Sequence, residues 1–413
     1  MNTEKKFASV AMNENNPDWQ IAISRKSALY SREDDIRSPF IRDYTRILHS
    51  LAYRRLKHKT QVFYGGAGND HICTRIEHVA HVDSVSNSIA CALGLNEELT
   101  RAIAMAHDLG HAPFGHKGEH YINTLTEKYL EEPFWHEKNG VYFVDNIELL
   151  EDPRKIKRNL DLTYAVRDGI ISHCGEVDQN MIKPRDFSIG LEQVQKGGQL
   201  QAATWEGCVV KLADKIAYLG RDIEDADRLG YFNSKQLKTL KELAKKCNKD
   251  AVNTTVITHS MIIDICQNSS IENGLSLSPA MDEVLTEIKK FNYENIYFNP
   301  RLKSYERYAE LIINSLFEAL EPYYDDLDTF KRLEEDNFHH RKFIKDFAEY
   351  LATYCMLDGP IPSWTFDMAH NLENTKIYGR LDNKQLYLRA VIDFIAGMTD
   401  NYATEAFQQL LMC

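Results

Sequence analysis

The segment AHDLGHAPFGHKGEH (residues 106–120) holds four histidines and two carboxylates within fifteen residues. Eight of the chain's 15 histidines (71, 78, 81, 107, 111, 116, 120 and 136) fall between residues 71 and 136. Clustered imidazoles beside a carboxylate are what a divalent metal site requires: neutral ring nitrogens and an anionic oxygen. His107 and Asp108 are adjacent, so on a helix they would point about 100° apart. They can share an ion only if it lies over a helix end, and Gly110 supplies that end. A further imidazole must come from another helix, and His78 fits, with Arg75 one turn before it in RIEHV. A third helix, VKLADKIAYLGRDIED (210–225), offers Asp214, Tyr218 and Asp222 at i, i+4 and i+8 on one face. There is no G-x-x-x-x-G-K-[ST] phosphate loop, and GGAG (65–68) reads as a turn. His49, His58, His259, His339, His340 and His370 have no comparable context, and His173, in ISHCGE, is left without a role.

These residues need long, rigid elements to hold them. In IEHVAHVDSVSNSIACAL (76–93), apolar residues recur at spacings of three and four, as they do in LTRAIAMAHDLG (99–110). Gly94 and Asn96 mark a turn and a new helix start between the two. Further helices are predicted at about 117–131, 140–151, 160–174, 206–229, 235–247, 256–268, 279–292, 302–321, 338–356 and 384–412. Strand signals are sparse: residues 62–64 and 209–211 read as short extended pieces or as helix. Loops are expected at 65–70, 178–190, 195–199 and 358–364. With only 20 Gly and 11 Pro in 413 residues, the fold class is all-α. The expected organisation is a polar, partly disordered segment over 1–35, a helical core carrying the metal site over 36–230, and a C-terminal helical region over 231–413 packed on that core.

Composition narrows the function. Hydrophobic residues are 43% and charged residues 27%, an ordinary globular mix. Nothing approaches ~18 consecutive apolar residues, and the N-terminus lacks an apolar signal region, so the expectation is a cytoplasmic protein with no membrane partner. A net charge of −12 disfavours general binding of nucleic acid or anionic lipid, so a phosphate site must be a local basic pocket. The eight cysteines form no C-x-x-C pair and read as reduced thiols.

The order His78, His107-Asp108, Asp214 resembles the H…HD…D signature of the HD-domain metal phosphohydrolases. Within that superfamily the chain is similar to the deoxyguanosine triphosphate triphosphohydrolase family, and more distantly to the SAM- and HD-domain dNTP triphosphohydrolase. Four stretches carry the resemblance: SPFIRDYTRILHSLAYRRLKHKTQVF (38–63), RIEHV (75–79), AHDLGHAPFGHKGE (106–119) and IDFIAGMTDNYATEAF (392–407). The resemblance implies an HD-domain helical body with a C-terminal helical extension. It assigns His78, His107, Asp108 and Asp214 as metal ligands. His116 and Glu119 match groups that position the attacking water, and His136 a third catalytic histidine beside the alpha-phosphate. Arg55, Arg75, His111 and Lys215 match or suit phosphate contacts, Tyr218 and Asp222 the groups that hold the deoxyribose, and Gln61 a reader of the sugar 3′-hydroxyl. Val79 and His81 depart from the family pattern, which carries a small hydroxyl residue and a carboxylate there. His81, one turn from His78, is within reach of the same ion.

The implied activity is metal-dependent hydrolysis of deoxynucleoside triphosphates, dGTP among them, to deoxynucleoside and tripolyphosphate. The implied cofactor is a divalent metal, and His₂Asp₂ suits Mn, Mg, Fe, Co, Ni or Zn alike. The resemblance also implies a homo-oligomer, with a hexamer among the options, and a nucleotide or single-stranded DNA effector. Two other classes stay open at this level: an HD phosphohydrolase of a nucleoside monophosphate, cyclic nucleotide or alarmone, and a catalytically idle nucleotide-binding regulator.

Overall fold

The computed structural model describes residues 5–27, 35–64, 71–152, 154–174, 180–186, 188–247, 254–337, 342–357 and 371–411. The expected loops at 65–70 and 358–364 lie outside these. The fold is all-α, with one two-stranded antiparallel hairpin, Leu149–Glu151 with Lys157–Asn159, among the described residues. None of the described helices is long and apolar enough to cross a membrane.

Three helices frame the chemistry. Arg75–Leu93 begins where the Glu77 carboxylate accepts the Thr74 N–H at 2.7 Å, and it stops at Gly94, whose φ of 88° suits a residue without Cβ. Glu97–Ala106 starts at Asn96, whose side chain accepts the Leu99 N–H at 3.0 Å. Trp205–Arg228 is capped by Thr204, which accepts from Gly207 at 3.1 Å. Each packs against the other two. Their shared apolar face buries Val79, Val82, Ile89, Leu99, Ile103, Val209 and Ile216. Burying aliphatic side chains of this size contributes roughly 1.5–3 kcal/mol each, which makes the frame stiff.

Several elements differ from the expectation. The helix foreseen over 140–151 is His136–Tyr142, a wider turn over Phe143–Ile147, and then the first strand. Asp152 reverses the chain there by accepting the N–H groups of Arg154 (2.7 Å) and Ile156 (3.0 Å). The helix foreseen from 160 starts at Tyr164, because Asp43 takes the Thr163 N–H and hydroxyl (2.8 and 2.6 Å) and holds that residue extended. The single run over 384–412 is two helices, Lys384–Ala396 and Asp400–Leu411. Residues 209–211 are helical, and 62–64 form no strand. In the N-terminal segment expected to be partly disordered, residues 5–27 are ordered, with Phe7 fully buried edge-on against Trp205 at 4.9 Å.

The apolar core divides elsewhere than at residue 230. One cluster runs from Phe7 to Leu302 and takes in the helices up to Pro279–Asn292 other than Gly115–Leu130. The other joins Ala112, Phe114, Ile122, Leu125, Phe143 and Ile147 to the C-terminal helices from Lys303 onward. The loop and helix after the His-Asp pair therefore pack with the C-terminal region.

Candidate metal and phosphate site

At the floor, His78 comes from Arg75–Leu93, His107 and Asp108 from the end of Glu97–Ala106, and Asp214 from Trp205–Arg228. His78 Nε2 lies 2.9 Å from Asp214 Oδ1 and 4.0 Å from Asp108 Oδ2. His107 Nε2 lies 3.5 Å from Asp108 Oδ1 and 3.9 Å from Asp214 Oδ1. His107 Nδ1 is 2.7 Å from the Ala104 carbonyl, which makes it the protonated nitrogen and leaves Nε2 as the lone pair. That Nε2 is buried and has no hydrogen-bond partner among the described residues. Burial holds His107 at about 4, so the ring is neutral near pH 7. Burial opposes ionisation of Asp108, but His107, His111 and Arg75 hold it well below the usual carboxylate range. Two imidazoles and two carboxylates converging from three helices, with the His107 Nε2 orphaned among them, fit a divalent cation.

A cavity of about 270 Å³ opens above this floor. Arg75 and His111 stand over Asp108: Arg75 Nη1 donates to Asp108 Oδ2 at 2.9 Å, and His111 Nε2 lies 3.0 Å from Oδ1. Arg75 is buried, and its Nε and Nη2 have no partner among the described residues. Unpaired guanidinium nitrogens beside a cavity are ready to take phosphate oxygens. Tyr218, Asp222 and Gln61 line another wall. Tyr297 donates its hydroxyl to Asp222, and burial lifts that carboxyl to about 7, so near neutrality it can both donate and accept.

The third group sits on the segment after the His-Asp pair. Gly110 is required because a Cβ there would lie 2.1 Å from the Gly140 nitrogen, where the His136–Tyr142 helix crosses. Gly118 is required because a Cβ would meet the Pro113 carbonyl at 1.7 Å. Between them the chain starts the Gly115–Leu130 helix, which puts His116 and Glu119 on one face. Glu119 lies 3.3 Å from His116 Nδ1 and 3.1 Å from His136 Nδ1, and it accepts the His136 N–H at 2.8 Å. Burial works against the charge on His136, but Glu137 and Glu119 push it up to about 10. Burial likewise opposes ionisation of Glu119, yet His136 and His116 hold it well below its ordinary value. A histidine–carboxylate–histidine relay whose two histidines both line the cavity can hold and move a proton.

Asp400 of the C-terminal region ties these parts together. Its carboxylate accepts the Phe114 N–H at 2.8 Å and the Thr60 N–H at 2.9 Å, next to Gln61. Phe114 is held at a φ of 66°, a conformation rare for a bulky residue.

Not every expected residue is here. Arg55 faces away, pairing with buried Glu148 in a second cavity, and does not reach the site. The Glu148 carboxylate also accepts the Ala52 N–H at 2.8 Å and needs that counter-charge. Lys215 is buried one residue beyond Asp214, outside the cavity wall. His81 is half-buried, where burial and the charge of Arg221 lower its pKa, and it joins none of the ligand clusters among the described residues. Conversely, His173, which the sequence leaves without a role, lines the cavity together with Tyr297 and Tyr305. His173 follows the Tyr164–Ser172 helix, and its fall at a helix end, like that of His107, was the available signal.

Comparison with known proteins agrees with this arrangement. The HD domain family matches residues 75–219, and the phosphohydrolase-associated domain family matches 275–353 and 369–409. A deoxyguanosinetriphosphate triphosphohydrolase-like protein of Caldanaerobacter subterraneus subsp. tengcongensis is 33% identical over 395 residues, covering 95% of this chain and 91% of the relative. Proteins of the same description from Desulfatibacillum aliphaticivorans (37% over 309 residues, 73% of this chain and 79% of the relative) and Clostridium perfringens (31% over 384 residues, 91% and 88%) are also similar. The first family match opens on Arg75 and closes just past Tyr218, so it spans the whole floor of the cavity. On these grounds the chain belongs to the deoxyguanosinetriphosphate triphosphohydrolase-like family of HD-domain phosphohydrolases.

Proposed function

We propose that the protein hydrolyses deoxynucleoside triphosphates, dGTP among them, at the alpha-phosphate, releasing deoxynucleoside and tripolyphosphate. The observation that carries this reading is one cavity with a four-ligand floor, unpaired Arg75 nitrogens over it, and Tyr218, Asp222 and Gln61 along the wall. His78, His107, Asp108 and Asp214 would hold a divalent ion, which would polarise the alpha-phosphate and offset charge on the leaving oxygen. Arg75 and His111 bind phosphate oxygens. His116, backed by Glu119, orients the attacking water and takes its proton. His136, charged by Glu119 and Glu137, faces the alpha-phosphate. Water attacks phosphorus, the bond to the sugar 5′-oxygen breaks, and that oxygen takes up a proton. Tyr218 packs on the deoxyribose, while Asp222 and Gln61 take its 3′-hydroxyl. Lys215 adds positive charge next to Asp214. The same reading makes the protein a homo-oligomer, which sedimentation velocity measures directly.

The test is purified protein with Mn²⁺ or Mg²⁺ and the four dNTPs, GTP, a nucleoside monophosphate, a cyclic nucleotide and an alarmone, with products resolved. Tripolyphosphate and deoxynucleoside from at least one dNTP are expected. Turnover confined to a monophosphate, a cyclic nucleotide or an alarmone would replace this reading with another HD phosphohydrolase. Binding without turnover of any of them would make the protein a regulator.

A further inference from the structure

The two groups that stand over Asp108, Arg75 and His111, are tied together from behind by one residue. Lys59 follows the helical turn Leu56–His58, is 3% exposed and lies outside the cavity wall. Its carbonyl accepts the Arg75 N–H at 3.1 Å, where the Arg75–Leu93 helix begins. Its Nζ donates to the His111 carbonyl and, at 3.4 Å, to the carbonyl of Ala396, the last residue of the Lys384–Ala396 helix. We propose that Lys59 is a positioning residue for phosphate binding: its side chain sets where His111 stands beside Arg75, and so governs affinity for a polyphosphate that it never touches. This rests on the reading of Arg75 and His111 as phosphate contacts.

The segment it holds, residues 107–114, forms turns and neither helix nor strand, so side chains must fix its backbone. Asn139 donates to the Gly110 carbonyl at 2.7 Å, Lys59 to that of His111, and Asp400 accepts the Phe114 N–H at 2.8 Å. Of these three, Lys59 acts on His111 itself. The His111 ring has little slack: Nε2 lies 3.0 Å from Asp108 Oδ1, and the ring face stacks on His136 at 3.8 Å and 14°. A backbone shift of a fraction of an ångström would pull the ring off one of these contacts and change its distance to Arg75.

Position is what the side chain supplies, more than charge. Burial, then Arg55, lower its ammonium to about 7, with Arg75 acting the same way and Asp400 and Glu148 working against them. Near neutrality it therefore carries only part of a charge. As a neutral amine it still keeps two N–H groups, enough for the two carbonyls. The Ala396 carbonyl, at the C-terminal end of its helix, is a favourable partner for either form. Methionine matches lysine in reach and has no donor, so Lys59→Met keeps the bulk and releases the His111 carbonyl.

The test is a double-mutant cycle on the full chain in saturating Mg²⁺. Affinity for inorganic tripolyphosphate is read by titration calorimetry, kcat/KM for dGTP is measured on the same samples, and folding is checked by circular dichroism. Lys59→Met should weaken tripolyphosphate binding and lower kcat/KM, each by roughly 10- to 100-fold, the scale for displacing a contact by up to ~1 Å. In a His111→Ala background the same substitution should change binding by less than ~2-fold, because the group it positions is gone. Unchanged affinity in folded Lys59→Met would overturn the inference and leave Lys59 to the fold. An equal loss in both backgrounds would overturn it too, since Lys59 would then act through its charge. If Lys59→Met does not fold, Lys59→Gln, with an amide donor on a shorter chain, runs the same cycle and decides. The full binding cycle without dGTP turnover would remove the proposed function and keep the role of Lys59, and dGTP turnover without the cycle would do the reverse. No binding of tripolyphosphate to the unmodified protein would overturn the inference outright.

Discussion

The floor of the cavity and its proton relay are built from the same residue types in opposite ways. His78, His107, Asp108 and Asp214 are locked between three packed helices, and His107 is fully buried. His116, Glu119 and His136 stand at the edge of the frame, and the His116 side chain is 60% exposed. The floor must hold a fixed geometry against its own desolvation cost, so it is assembled by the core. Under the proposed function the relay exchanges protons with water, and its His116 end is open to solvent. Its position depends on the C-terminal region, through Asp400 and the packing of Phe114 with the later helices.

That contrast is broken most strongly at Asp214. Asp214→Ala should lose metal and turnover together, read by metal analysis and by dGTP hydrolysis on the same sample. His116→Ala should keep the floor's metal and the thermal transition while turnover falls on the order of 10²–10⁴-fold, the usual worth of a general base. Near-normal turnover in His116→Ala would pass that role to His136.

How far these two regions were legible in the sequence follows from how local their signals are. His107-Asp108, with Gly110 closing the helix, is a short motif, and His78 and Asp214 lie on helices whose periodicity is plain. The cavity wall is different: Tyr297 and Tyr305 arrive from the helices near residue 300, and a lone tyrosine carries no spacing signal. Arg55 illustrates the opposite error. A basic residue in a family-like block suggested a phosphate contact, but its partner Glu148 lies 93 residues away and only folding brings them together. The break at 397–399 was hidden for a similar reason, since Asp400 opens a new helix and serves Thr60 and Phe114, more than 280 residues earlier.

The wall supplies the next effect in size. Tyr218 follows Asp214 by one turn and lines the cavity, so a ribonucleotide would set its extra hydroxyl against the ring or bury it unsatisfied, at about 1–3 kcal/mol. From that penalty, kcat/KM for dGTP should exceed that for GTP by at least ~10-fold, and Tyr218→Ala should narrow the gap. Equal values in the unmodified protein would remove the sugar-wall argument and leave the floor intact.

The smallest effect is on stability. Burial raises Asp222 to about 7 in the ion-free fold, whereas an unfolded chain ionises it near ~3.9. Between those values unfolding releases its proton, so this group makes stability fall as pH rises from about 4 to about 7, with no further change above. Urea unfolding of metal-free Asp222→Asn should show a flatter pH dependence over that window. An identical slope would mean that Asp222 is hydrated and does not form a dry wall.

The central claim is that water attacks the alpha-phosphorus over the floor. Hydrolysis of dGTP in ¹⁸O-labelled water, with products separated by mass, tests it most directly. The account predicts one label per turnover in tripolyphosphate and none in deoxyguanosine. Label in deoxyguanosine, or products that are dGMP with pyrophosphate or dGDP with phosphate, would contradict it.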